Sequence, residues 1–184
     1  MLMRAGVEGR GVLRRKSTVV LSWVFTLFFG LFGLVCFLDA EVHSRSASGP
    51  LSGASACFFT VALARRIWGA RIVLGEQIAV INPLLTYRIP CRAVVEAAAD
   101  ARGSLVIRCG DGAAVYPAAF GGALMDRWAG STTRAARTVN DYRRAAGKRP
   151  VPALAERSVT RAWIADTFLM TAAASAVLAA YLGS

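Results

Sequence analysis

Histidine is almost missing from this chain: His43 stands alone. Lysine is nearly as scarce, with only Lys16 and Lys148, so arginine carries the basic charge. A single histidine, on a predicted loop far from the serines and cysteines of the later segments, leaves no Ser–His–Asp or Cys–His arrangement to build. Cys36, Cys57, Cys91 and Cys109 contain no CxxC pair, and with one histidine they offer no zinc spacing. They read as packed, reduced thiols. A Cys91–Cys109 disulfide would be unusual in a cytoplasmic domain. Carboxylates are few as well, 11 against 22 Lys plus Arg. Glu96 and Asp100 lie four apart, but on a predicted strand and turn, where surface placement is the ordinary outcome. Gly110-Asp111-Gly112 and Gly121-Gly122 are too short for a phosphate loop. No catalytic site, cofactor or metal site is therefore expected.

The formal net charge is +11, which points to nucleic acid or to an anionic membrane surface. Its placement favours the membrane. Arg10, Arg14, Arg15 and Lys16 precede the first apolar run. Arg65, Arg66 and Arg71 follow the second, and Arg157 and Arg161 precede the third. Cationic flanks of this kind stay on the cytoplasmic side. Nucleic-acid binding calls for stacking aromatics interleaved with the basic residues, and that pattern is missing.

Residues 17–38 carry no charge and are long enough, at about 1.5 Å per residue, to cross roughly 30 Å of hydrocarbon. The run is longer than the roughly 7–15 residues of a signal-peptide core, and Asp39 spoils a cleavage site, so an uncleaved helix is predicted. Val35 is too bulky for a lipoprotein reading at Cys36. Gly30 and Gly33 give another helix room to approach. The run at 50–68 is weaker, with Pro50, Gly53 and many Ser and Ala. Its core to Ala64 covers only about 22 Å as helix, extended by snorkelling Arg65 and Arg66 and by Trp68. In the third run, Trp163 and Tyr181 are spaced about 27 Å along a helix and read as paired interfacial anchors. The predicted order is a basic cytoplasmic terminus at 1–16, helices at 17–38 and 50–68 joined by an external loop at 39–49, a domain at 70–149, a linker at 150–161 and a last helix at 162–182.

Between residues 70 and 117 the period shortens to two. Ile72 and Leu74, then Leu85, Tyr87 and Ile89, then Leu105, Ile107 and Cys109 alternate with other residues, as half-buried antiparallel strands do. Gly75-Glu76, Asn82-Pro83, Arg102-Gly103 and Gly110-Asp111-Gly112 supply turns. Six strands are predicted, at 70–74, 77–82, 85–89, 94–99, 104–109 and 113–117, curling into a small barrel or sandwich. A Gly-rich loop with a short helical turn follows. Ser131 or Thr132 then caps a helix that runs to about Ala146 and stops at Gly147. Ala135, Val139, Tyr142 and Ala146 share one face, and Arg134, Arg137, Asp141, Arg144 and Lys148 another.

Ile81-Asn82-Pro83, Arg88-Ile89-Pro90 leading into Arg92-Ala93-Val94-Val95, and the hairpin Ser104-Leu105-Val106-Ile107-Arg108 crossing Gly110-Asp111-Gly112 occur in an order that resembles the bacterial PH-like domain family. That family is typified by the low-molecular-weight protein antigen 6 domain, found in small membrane proteins with apolar helices beside the β-domain. The resemblance implies a barrel or pair of sheets closed by a C-terminal helix, here 132–146. Phosphoinositide-binding PH domains carry basic residues around the first hairpin. Gly75-Glu76-Gln77 is short and acidic, so the resemblance does not carry that headgroup site.

Two features stand out as candidate sites. Arg134, Arg137, Arg143, Arg144, Lys148 and Arg149 form a basic run that suits anionic lipid or a protein partner, each cation near such lipid contributing about 1 kcal/mol. Asp166 is an acidic residue one turn into an apolar helix, where it reaches the interface, pairs with Arg161 or marks a functional contact. The expected protein is multi-pass in the cell membrane, α+β, with an N-terminal transmembrane hairpin, a cytoplasmic PH-like domain and a final transmembrane helix. The expected role is non-catalytic interaction or scaffolding, with the bilayer and an unidentified membrane protein as partners and no nucleic acid. The alternative is an accessory subunit of a transport or envelope-synthesis complex, acting through its helices.

Overall fold

A computed structural model describes residues 11–14, 16–42, 48–121, 130–147 and 155–183. These residues form four α-helices and eight β-strands, an α+β architecture with antiparallel sheets. The chain divides into two compact units, residues 1–15 with 70–160 and residues 16–69 with 161–184.

The β-unit contains β1 (Gly11–Leu13), β2 (Arg71–Leu74), β3 (Gln77–Ile81), β4 (Leu85–Pro90), β5 (Val94–Ala99), β6 (Leu105–Cys109) and β7 (Ala114–Val115). The helix α3 (Ser131–Ala145) and the strand β8 (Glu156–Val159) complete it. One sheet has the order β1-β2-β3-β4-β8, the other β5-β6-β7. Period-two alternation holds in β2 and β3, while in β6 Val106 is buried along with its neighbours. Ile72, Ile78, Val80, Ile89, Leu105 and Ile107 are fully buried, joined by Val139 of α3. Turn chemistry follows the residue types: the Asp100 carboxylate accepts the N–H groups of Arg102 at 2.9 Å and Ser104 at 2.8 Å, and Gly112 takes a φ of +82° that a side chain would resist.

Four boundaries depart from expectation. The segment at 150–161 is not only a linker, because Glu156–Val159 pairs with β4, Leu85 opposite Val159. Residues 11–13 of the basic terminus form β1, with Leu13 opposite Ile72. Neither strand alternates long enough to signal itself; each forms because an open sheet edge offers unpaired backbone groups. The cap position of α3 is Gly130, in the left-handed region, so Ser131 is the helix's first residue and Thr132 its second. The last predicted strand shrinks to two residues.

The helical unit contains α1 (Lys16–Val42), α2 (Ser48–Trp68) and α4 (Trp163–Gly183). The predicted external loop at 39–49 is shorter, since α1 continues to Val42 and α2 begins at Ser48. Ala40 is buried there against Leu51 and Ala179, which rewards the extra turn. Two helices, Ser17–Ala40 and Trp163–Gly183, have the length and apolar composition to cross a membrane. The less apolar α2 packs on both of them. That explains its Ala, Ser and Gly: small side chains bring helix backbones close where lipid does not reach. Gly33 is the contact point on α1. A Cβ there would lie 3.0 Å from Cys57 and Phe58, whereas one at Gly30 would meet nothing.

Candidate functional site

The basic helix sorts its cations by what lies beneath them. Ala135, Ala136 and Val139 bury one face of α3 in the β-unit core. Arg134 and Arg137 are exposed on the opposite side. Arg144 is exposed with them, 3.2 Å from Asp141, one turn back. Such a surface pair contributes little to stability and offsets one of the three positive charges. Arg143 does not belong to this face. It is half-buried, and its guanidinium donates to the carbonyl of Val95. The reason is angular: at about 100° per residue, position 143 falls beside Ala136 and Val139. Lys148 and Arg149 lie outside the described residues.

Arg143 has a companion in Asn140. Its Oδ1 accepts the Ala97 N–H at 2.9 Å, and its Nδ2 donates to the Ala97 carbonyl at 2.7 Å. Both residues serve β5, the outer strand of its sheet. Asn140 was not singled out from the sequence. Its only signal was a polar residue next to Val139 on the apolar side of the helix.

Asp166 is paired with Arg66 of α2, at 2.5 Å, rather than with Arg161. Its other oxygen accepts the N–H of Ala162 at 3.3 Å, at the start of α4. A carboxylate in the first turn suits the helix dipole. Nearby on α2, the Arg65 guanidinium lies 4.2 Å over the Trp23 ring and 3.4 Å from the hydroxyl of Ser22. Trp68 meets Phe25 edge-on at 4.8 Å. The two arginines that close α2 are thus bound to side chains of α1 and α4.

Between α2 and α4 runs an open groove of about 610 Å³, lined by Ser52 and Ala56 and by Ala172, Ala176 and Ala180. The spacing of four puts these small residues in line along each helix. That spacing was readable as a small-residue pattern, but the Ala-rich stretch did not distinguish a groove from ordinary packing.

Cys91 is buried with its sulfur 3.4 Å from the carbonyls of Gly75 and Glu76, under the first hairpin. Burial pushes both the Cys91 and the Cys109 thiol up from the ordinary value, with the Asp111 carboxylate adding to the effect at Cys109. All four cysteines are free, and among the described residues no group of three His, Cys, Asp or Glu could hold a metal ion. His43 lies outside the described residues. Comparison of the chain with protein-family models, curated proteins and solved structures finds no match.

Proposed function

We propose that this chain is a non-catalytic interaction or scaffolding module, held in the cell membrane by a hairpin and a final helix, with a PH-like β-unit facing the cytoplasm. One observation carries the topology. Leu13 is the direct partner of Ile72, so the excursion through α1 and α2 begins and ends on neighbouring strands. Two hydrogen-bonded strands cannot lie on opposite faces of a bilayer. If α1 crosses, α2 crosses back, despite its weaker apolar character. The basic residues 65, 66, 71, 157 and 161 then all stay inside, and α4 runs outward.

The PH-like reading is supported by two antiparallel sheets followed by a helix on the outer strand β5. The interaction reading is supported by the exposed Arg134, Arg137 and Arg144 on the side of α3 that the core does not use. Anionic lipid is a subsidiary ligand for that face. The accessory-subunit alternative is favoured by the groove between α2 and α4, which has the small-residue lining that accepts another transmembrane helix.

Two experiments test these readings. In intact cells, an impermeant thiol reagent should label Ser46→Cys and not Asp111→Cys; labelling at 111 alone overturns the topology. Crosslinking of the full-length chain in native membranes then separates the roles. A partner lost when Arg134, Arg137 and Arg144 are replaced by Gln supports the β-unit module. A partner kept by that variant but lost with Ala176→Leu supports the accessory subunit.

A further inference from the structure

The five-stranded sheet has an unusual end. Following the register, Leu13 lies opposite Ile72, Arg71 opposite Ile81, Ile81 opposite Thr86, and Leu85 opposite Val159. The chain passes between this one end and a helix three times: after Leu13, before Arg71 and after Val159. Each passage takes only two or three residues. The opposite end of the sheet carries the Gly75-Glu76 turn.

Apolar side chains gather at that same end. Leu84, in the β3–β4 turn, is 66% exposed, and Val159 is 75% exposed. Leu85 is 38% exposed although it shares a strand face with the fully buried Ile89. The core of the β-unit runs out before it reaches them. Tyr116, also exposed, adjoins the turn, since its carbonyl accepts the Asn82 amide at 3.0 Å.

The backbone here is firmly held. The Thr160 N–H donates to the Leu84 carbonyl at 2.9 Å, and its hydroxyl donates to the Asn82 carbonyl at 2.9 Å. Asn82 Oδ1 accepts the N–H of Ala118 at 2.8 Å. A turn whose polar groups are paired internally can enter a less polar medium without leaving them unsatisfied. On this firmly held backbone Leu84 and Val159 stay largely exposed and Leu85 partly so.

We propose that this end of the sheet, with Leu84, Leu85 and Val159 at its tip and Tyr116 beside it, is immersed in the interfacial layer of the bilayer. The occupant of the apolar tip is lipid, where the headgroups meet the acyl chains. Arg71, at the same end of the sheet opposite Ile81, suits anionic headgroups, and Tyr116 has the amphipathic ring of an interfacial anchor. The contact is separate from the arginine face of α3. It rests on the reading that α1 and α4 span.

The test uses the full-length chain in nanodiscs of phosphatidylcholine and phosphatidylglycerol, with no protein besides the encircling scaffold. A fluorescent amino acid is placed at position 84, at position 76 on the opposite end of the sheet, or at position 31 within α1. Quenching by lipids brominated near the headgroup end of the acyl chain is compared with quenching by iodide in water. Position 84 should be quenched by the brominated lipid at least three-fold more than position 76, and position 76 more by iodide. Equal iodide quenching at 84 and 76, with position 31 quenched by lipid, overturns the tip proposal and leaves the spanning reading intact. Failure of lipid to quench position 31 overturns both.

Discussion

Asn140 of α3 grips Ala97 of β5 by both backbone groups, at 2.9 Å and 2.7 Å. This two-pronged bond closes an edge strand with a side chain instead of another strand. Ala97 is itself buried, so its N–H and carbonyl have little recourse to water once the amide is gone. Asn140→Leu should destabilise the β-unit by about 1–3 kcal/mol, the range for a buried polar group left without its partner. Chemical unfolding of the purified full-length protein, followed by a signal from the β-unit, measures the loss. Arg134→Gln, on the exposed side of the same helix, should change stability by less than about 0.5 kcal/mol.

Asp166 and Arg66 join α4 to α2 through a short ion pair. Replacing Asp166 with Asn removes the charge and keeps the shape. Arg66 then faces a neutral amide in an apolar setting, and heat should release α4 from α2 earlier. A disulfide trap between introduced cysteines at Ser55 and Ala172, whose residues already share a 2.8 Å hydrogen bond, reports that contact. Slower trapping in Asp166→Asn than in the parent, with partial rescue by Asp166→Glu, is the expected result.

A Cβ on Gly33 would meet Cys57 and Phe58 of α2 at 3.0 Å, whereas one on Gly30, one turn away, would meet nothing within 4 Å. A leucine at 33 must displace Cys57 and Phe58. The expected cost is about 1–3 kcal/mol, as for an overpacked interior. Gly30→Leu should be tolerated. Thermal unfolding of the two variants in the same detergent separates them; equal melting temperatures would contradict the packing.

Buried Cys91 and Cys109 give the β-unit an alkaline limit. Burial raises both thiols above the ordinary cysteine value, about 8.5 in an unfolded chain. Below that value both states hold the proton, and the stability is fully present. Above it the unfolded chain ionises first, so stability falls as pH rises through the folded value. Melting temperature measured from pH 7 to pH 10.5 should drop more steeply in the parent than in a Cys91→Ala, Cys109→Ala variant. Alkylation of both thiols at pH 8 should be slow until the protein unfolds.

Local sequence determined the elements that rest on local forces. Charge-free length marked α1 and α4, period two marked β2 to β6, and the turns were announced by Gly, Asp and Asn-Pro because those residues meet backbone needs within a few positions. The cationic face of α3 followed from helical spacing alone. Tertiary structure decided whatever depends on a distant neighbour. Glu156–Val159 and Gly11–Leu13 became strands only because β4 and β2 presented open edges. Arg143, which helical spacing already sets beside Val139, found its partner only because β5 offered the Val95 carbonyl. Asp166 chose Arg66 over the nearer Arg161 because α2 packs on α4. Leu85 alternates correctly with Ile89 yet stays exposed, since periodicity names the face of a strand and cannot say how far along it the core extends.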